Sequence, residues 1–284
     1  MTMTREQKRQ IGTVLRYILL IAVGIVMVYP LVWMVGASFK TNAEIFSGIG
    51  FIPKNPVLTG YIKGFAGYEG MTLLHFLGNT YKIVIPKVAV TLISATITAY
   101  GFARFQFFGK KFSFAVLMST LFLPQVVLNV PQYVLFNEMG WLDSYLPLVV
   151  PSMLAGDTYF VYMLIQFQRG IPRELEEAAE IDGCNIMQTL WYVIVPMLKP
   201  AIVSCGLFQF MWASNDFMGP LIYVNTVSKF PVSIFLRMSM DAEVGFEWNR
   251  VLAMSLLAII PSLIVFFSAQ NSFVDGIAAG GVKG

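Results

Sequence analysis

Four ionisable side chains stand inside long apolar stretches of this chain: Lys82, Lys87, Asp157 and Asp216. A charge withdrawn from water into hydrocarbon is costly, so such groups mark either a buried pair or a pathway for a polar solute. Amides and aromatic rings accompany them. At about 100° per residue, Gln209, Trp212, Asp216 and Tyr223 fall on one helical stripe, and Gln125, Asn129 and Gln132 on another. A sugar needs hydrogen-bond partners for its hydroxyls and flat surfaces for its ring faces, and this mixture of Gln, Asn, Asp, Trp and Tyr offers both. Tyr159, Tyr162 and Gln166 add a further face. Buried amides also hold helices together in membranes, so each of these residues has a purely architectural alternative. Lys82 suits snorkelling to the outer interface. Lys87 lies deeper and suits either a pair with Asp157 or a contact to an acidic, uronate-bearing solute.

A second constellation is short and acidic: Arg173-Glu174-Leu175-Glu176-Glu177-Ala178-Ala179-Glu180-Ile181-Asp182-Gly183, with Pro196 and Pro200 beyond it. Pro172 suits a first helical turn, and Glu174, Glu176 and Glu177 place negative charge at the positive end of the helix dipole, so a helix over 173–181 is predicted. Gly183 can take a positive φ and stop it. A second helix over 185–195 then starts at an angle, until Pro196 interrupts it. Ala178 and Ala179 leave room for another surface to approach the backbone, and the carboxylates offer that surface ion-pair partners. A solvated amphipathic connector is the plainer alternative.

Composition identifies the scaffold that must position these groups. Of the 284 residues, 57% are hydrophobic and 12% charged, against about 25% charged in soluble domains. The chain is therefore read as an all-α integral membrane protein. Its apolar runs are too long for barrel strands and show no period of two. Six spans are predicted over 17–38, 81–103, 112–136, 146–167, 201–224 and 251–273. Tails cover 1–16 and 274–284, and the acidic segment lies in a connection over about 169–199. The first span exceeds a signal-peptide core and contains Pro30 and Trp33, so it is read as uncleaved. Arg5, Lys8, Arg9 and Arg16, then Arg104, Lys110 and Lys111, then Arg169 and Arg173 fall on one side, which should be cytoplasmic along with both termini. The long connection after the first span, rich in Gly and Pro, is expected to be irregular and to fold over the outer mouth.

Several function classes drop out. A net charge of +3, with scattered cations, excludes a nucleic-acid stripe. Cys184, Cys205 and the lone His75 form no metal, disulfide or nucleophile constellation. Gly109-Lys110-Lys111 lacks a Gly five residues earlier, where Arg104 stands, and lacks the Ser or Thr of a phosphate loop. The chain is thus expected to bind no cofactor and to hydrolyse no ATP by itself.

Glu177-Ala178-Ala179, Gly183 and Val193-Ile194-Val195-Pro196 resemble the EAA loop of bacterial ABC importer permeases, with the spacing matched in full. Val193 and Val195 replace the pattern's Ile and Leu, both apolar changes. Ile171 to Glu176, Trp212 to Phe217 and the terminal Ala279 to Gly284 are similar to the carbohydrate branch, of the maltose-type second permease. The resemblance implies a type I permease fold with a cytoplasmic coupling-helix hairpin in the bacterial inner membrane. It implies partners: a homologous second permease, two ATPase subunits holding ATP and Mg²⁺, and an extracytoplasmic solute-binding protein delivering a saccharide. It places ATPase coupling on Glu177, Ala178, Ala179, Asp182, Gly183 and Pro196, and a C-terminal tip at Val282 to Gly284. An ion-coupled secondary transporter using Asp157, Lys87 or Asp216 is the alternative.

Overall fold

The computed structural model describes residues 5–240 and 247–281. Helices α1 (Arg5–Ser38), α2 (Asn42–Ser47) and α3 (Thr59–Ala66) precede the long α4 (Leu73–Arg104). Next come α5 (Lys110–Thr120), α6 (Gln125–Glu138), α7 (Leu146–Met153) and α8 (Thr158–Arg169). Helix α9 (Glu174–Ile181), α10 (Ile186–Thr189), a π-helical turn over Leu190–Ile194 and α11 (Val195–Met197) lead into α12 (Lys199–Ser214). The chain closes with α13 (Met218–Tyr223), α14 (Val232–Met238) and α15 (Trp248–Gly281). No strand occurs among the described residues.

Among the described residues four stretches are long and apolar enough to cross a membrane: Arg9–Ser38, Leu73–Arg104, Leu146–Arg169 and Trp248–Gln270. Two bent pairs bring the number to six if each counts as one span: α5 with α6 at 105°, and α10–α11 with α12 at 78°. The expected third span, 112–136, is therefore not one straight helix. Pro124 takes extended backbone (φ −63°, ψ 125°) and has no N–H to continue α5. The expected fifth span, 201–224, also breaks. At its interruption the Asn215 amide donates to the Met211 carbonyl at 2.8 Å, and the Asp216 carboxylate accepts from the Gly219 N–H at 3.0 Å. Side chains that bond the local backbone in this way compete with the helical ladder. In the fourth span the Leu154 and Gly156 N–H groups both point to the Pro151 carbonyl, and Ala155 sits at φ 57°. The last helix runs on to Gly281, past the expected end at residue 273.

The chain divides into two compact units, one of Met1–Leu73 with Leu236–Ala258, the other of Leu74–Phe235 with Ile259–Gly284. In the first, the connection after α1 is irregular, as expected, apart from the two short helices α2 and α3. Helix α3 lies against the start of α15 through Gly60 and Gly64, where a Cβ would come within 2.6 Å of the Asn249 carbonyl and 2.7 Å of the Met254 side chain. Small residues four apart allow this close approach. The second unit carries the candidate sites. Its central cluster joins Ala95 and Ala99 of α4, Leu117 of α5, Phe160, Val161, Leu164 and Ile165 of α8, and Ala201 and Cys205 of α12. A second cluster, Ile83, Phe136, Leu148, Tyr223 and Val224, closes the other end. These buried apolar contacts fix α4, α8 and α12 against one another, so polar groups on those helices have defined positions.

Candidate functional site

The acidic segment is built from two caps placed back to back. Helix α9 begins after Arg173 and ends at Ile181, close to the predicted 173–181. Gly183 has φ 84°. Its N–H donates to the Glu180 carbonyl at 3.0 Å, and the Cys184 N–H donates to the Ala179 carbonyl at 2.9 Å. This is a Schellman stop, which requires a left-handed residue where Gly183 stands. Two residues later Asn185 starts α10 with a capping box: its carboxamide oxygen accepts from the Gln188 N–H at 2.9 Å, and the Gln188 oxygen accepts from the Asn185 N–H at 2.8 Å. Stop and start together fix the bend with little loop between them.

Beyond the bend, the chain does not break at Pro196 as expected. The π-helical turn over Leu190–Ile194 opens the backbone ladder just ahead of Pro196, which then sits in the first turn of α11. A wider turn tolerates a residue that has no N–H to give. The break comes at Leu198, and Pro200 sits in the first turn of α12.

Inner contacts hold this segment to the spans. Ile171, Leu190, Ile194 and Leu198 pack around Tyr100 of α4. Arg104, at the end of α4, pairs with Glu176 at 2.5 Å and donates to the Ile171 carbonyl at 2.9 Å. Both charged side chains are largely buried, at 6% and 18% exposure. The outward face is different: Glu177, Ala178, Asp182 and Gly183 are exposed, and Ile181 is 88% exposed. Pro196 is exposed too. Beside the segment lies an open cavity of about 810 Å³ lined by Arg173, Glu177, Glu180, Asn185, Ile186 and Met187 among others.

The second candidate is a cleft of about 280 Å³ whose walls include Lys87, Gln125, Asn129, Gln132, Asp157, Asp216 and Tyr223. The structure thus gathers six of the eight expected pathway residues into one space, together with Gln132. Gln125 donates to Gln132 at 3.1 Å, and the Tyr223 hydroxyl lies 3.4 Å from the same Gln132 oxygen. Asp157 is held from behind. Its Oδ2 accepts from the Thr91 hydroxyl at 2.7 Å and from the Gln209 amide at 2.8 Å. Gln209 and Trp212, the other two, do not line this cleft. Gln209 is 2% exposed and donates to Asp157; Trp212 lies tilted against Tyr159 and Phe160, each with ring centroids 5.1 Å away. The stripe that united them with Asp216 and Tyr223 presumed an unbroken helix, and the turn at Asn215–Phe217 ends it. Thr91 escaped sequence reasoning, although it lies one turn beyond Lys87 on α4.

Lys87 is not in an ion pair with Asp157: among the described residues no carboxylate lies within pairing distance of it. It shares the cleft with both Asp157 and Asp216, so the formal charge of that lining is one positive against two negative.

Outside the spans, Asp143 joins two loops. Its carboxylate accepts from the Lys229 ammonium at 2.8 Å, the Thr226 N–H at 2.8 Å and hydroxyl at 2.7 Å, and the Asn225 N–H at 3.0 Å. The Lys229 bond first, then those from Thr226, hold its carboxyl well below the usual carboxylate range.

Residues 92–274 match the family described as binding-protein-dependent transport system inner membrane component. The chain belongs to that family. This permease is 29% identical over 277 residues, 98% of each chain, to the galactooligosaccharides transport system permease protein GanQ of Bacillus subtilis (strain 168). It is 29% identical over 260 residues to the sulfoquinovosyl glycerol transport system permease protein SmoH of Agrobacterium fabrum, covering 90% of this chain and 89% of that one. A chain in the crystal structure of a bacterial ABC transporter involved in the import of the acidic polysaccharide alginate shares its fold, with TM-score 0.81, 20% identity, and 96% and 99% of the two chains covered. The expected all-α, multi-pass architecture of a type I importer permease is borne out, as is the resemblance to carbohydrate-branch permeases.

Proposed function

We propose that this permease carries a carbohydrate, an oligosaccharide by preference, across the inner membrane as one half of an ATP-driven importer. A homologous permease supplies the other half, two ATPase subunits bind ATP and Mg²⁺, and an extracytoplasmic solute-binding protein delivers the cargo. The observation that carries this reading is the segment around α9. It is stiffened by caps at both sides of its bend and bonded to α4 through Arg104, yet its Glu177, Ala178, Ile181 and Asp182 face outward without cover. A rigid lever with an open acidic and apolar tip suits docking into a separate motor subunit, on the cytoplasmic side along with both termini. Closure of the ATPases shifts the permease between inward-open and outward-open states only as far as their binding differs between the two. The C-terminal tip, Val282 to Gly284, lies outside the described residues.

Cargo chemistry follows from the cleft. Gln125, Asn129, Gln132, Tyr223 and the two carboxylates supply donors and acceptors for hydroxyl groups. An acidic sugar would find Lys87 but would also face Asp157 and Asp216. The balance within this chain's own cleft therefore favours a neutral saccharide.

The test is uptake in proteoliposomes containing both permeases, the ATPases and the binding protein. Uptake that requires enclosed ATP and survives an ionophore supports the reading. Uptake by this chain alone, or uptake abolished by the ionophore with ATP present, returns the ion-coupled alternative. Glu177→Lys should weaken copurification of the ATPase, and unchanged recovery would remove the docking assignment.

A further inference from the structure

The first unit presents an apolar surface that the transport reading does not use. After α1 the chain turns back along the helix it has just left. The Tyr29 hydroxyl donates to the Ile49 carbonyl at 2.9 Å, and the Phe51 carbonyl lies so close to Gly36 that a Cβ there would overlap it. Gly36 and Tyr29 precede Ser38, the end of α1, by two and nine residues, or about 3 Å and 14 Å of helix at 1.5 Å per residue. Residues 48–52 therefore run back alongside the last turns of a span whose own large apolar side chains are exposed from Ile11 to Val35.

Internal bonds make this return a fixed lip. The buried Lys40 ammonium donates to the Gly50 carbonyl, the Val57 N–H donates to the Phe39 carbonyl at 2.8 Å, and the Lys54 N–H donates to the Glu44 carboxylate at 2.6 Å. The lip nevertheless turns large apolar groups outward: Ile49 is 84% exposed, Ile52 71%, Phe46 70% and Ile62 of α3 68%. Phe46 packs edge-on against Trp248 at 6.1 Å, and Tyr61 lies beside Phe39. Aromatic rings with this mixed apolar and polar character collect where hydrocarbon meets headgroups.

Counting from the other end gives the same depth. Arg16 is the last cation before the apolar run, and Tyr29 lies thirteen residues beyond it, about 20 Å into a hydrocarbon layer of roughly 30 Å. A chain that returns to between Tyr29 and Gly36 reaches from the far face of that layer to a depth of about 10 Å, which includes the depth of about 5–10 Å typical of amphipathic segments lying in a bilayer interface.

We propose that residues 46–52, with Ile62 of α3, form a collar immersed in the outer leaflet, with Phe46, Ile49, Ile52 and Ile62 in contact with lipid acyl chains. The collar anchors the first unit at fixed height. Its occupant is lipid, not a partner protein or water.

A photoreactive benzoylphenylalanine placed singly at Ile49, Ile52 or Ile62, with Asn55 as a comparison, tests this in the complete importer reconstituted in phospholipid vesicles. Each substituted complex is first checked for ATP-dependent uptake, and three separate positions guard against one that fails to assemble. After illumination, mass spectrometry of the permease should show phospholipid adducts at the three apolar positions, about tenfold above those at Asn55. Crosslinks to the second permease or the binding protein would overturn the proposal in favour of a protein interface. Absence of any adduct would overturn it in favour of a solvated surface.

Discussion

The acidic segment proposed for coupling and the polar cleft lie in one unit but are made in opposite ways. The first is assembled from consecutive residues: Gly183, Asn185 and Gln188 close the bend through bonds spanning three to five positions. The second draws on α4, α6, α7, the break before α8, and the turn leading into α13, and no two of its charged groups are neighbours in sequence. A locally determined element keeps its shape while its surroundings move, whereas a cleft assembled from distant helices changes whenever they shift. The contrast fits a rigid input joined to a deformable output, and substitutions can separate the two.

The largest effect is expected from Arg104→Ala, which strands the Glu176 carboxylate in a largely buried place. Removing one partner of a buried pair costs about 3–5 kcal/mol. Loss of ATPase subunits on purification, restored in part by Arg104→Lys, is the expected outcome; full recovery with the alanine would show that the lever needs no anchor. Next comes Gln209→Leu, which removes a donor from Asp157 and should cost about 1–3 kcal/mol. The expected signature is a raised KM for uptake with ATPase copurification intact, and loss of both would erase the distinction between the regions.

Gly183→Val should cost at least about 1–2 kcal/mol, because an L side chain opposes the left-handed φ. No atom lies within 4 Å of its Cβ position, so the Cβ itself meets no crowding. Here coupling, measured as uptake per ATP hydrolysed, should fall while cargo affinity stays unchanged. Lys87→Met sharpens the cargo assignment: uptake of a neutral saccharide should change less than that of an acidic one, and equal loss would remove a charge-reading role.

The smallest effect concerns the Asp143 loop clamp. Because its native pKa is lowered, its contribution is present above the ordinary carboxylate value of about 3.9 and declines as pH falls below it. Hydrogen exchange in residues 224–231 should therefore differ between wild type and Asp143→Asn near neutral pH and converge in acid. A difference independent of pH would assign the clamp to backbone geometry alone.

What could be read from sequence follows the same division. The helix start near Arg173 and the stop at Gly183 depend on near neighbours, so spacing and residue type sufficed. The cleft was legible only in part. Apolar composition announced the spans, but an averaged signal passes over single breaks, and Pro124 and Asn215-Asp216 were absorbed into helices they end. That error assigned Gln209 and Trp212 to the same face as Asp216. The left-handed Ala155 carries no mark in its residue type, and the role of Thr91 behind Asp157 appears only when α4, α8 and α12 are packed together.

The π-helical turn at Leu190–Ile194 has one outcome for the helix that follows it. A π-turn holds one residue more than an α-turn, and each residue rotates an α-helix by about 100°. Deleting a single residue there would turn Pro196 and the break at Leu198 by that angle relative to Leu190, so that α12, which carries Gln209, would leave in another direction. The surplus residue thus acts as a phase adjuster, setting the direction in which the chain leaves the acidic segment for the cleft's rear wall.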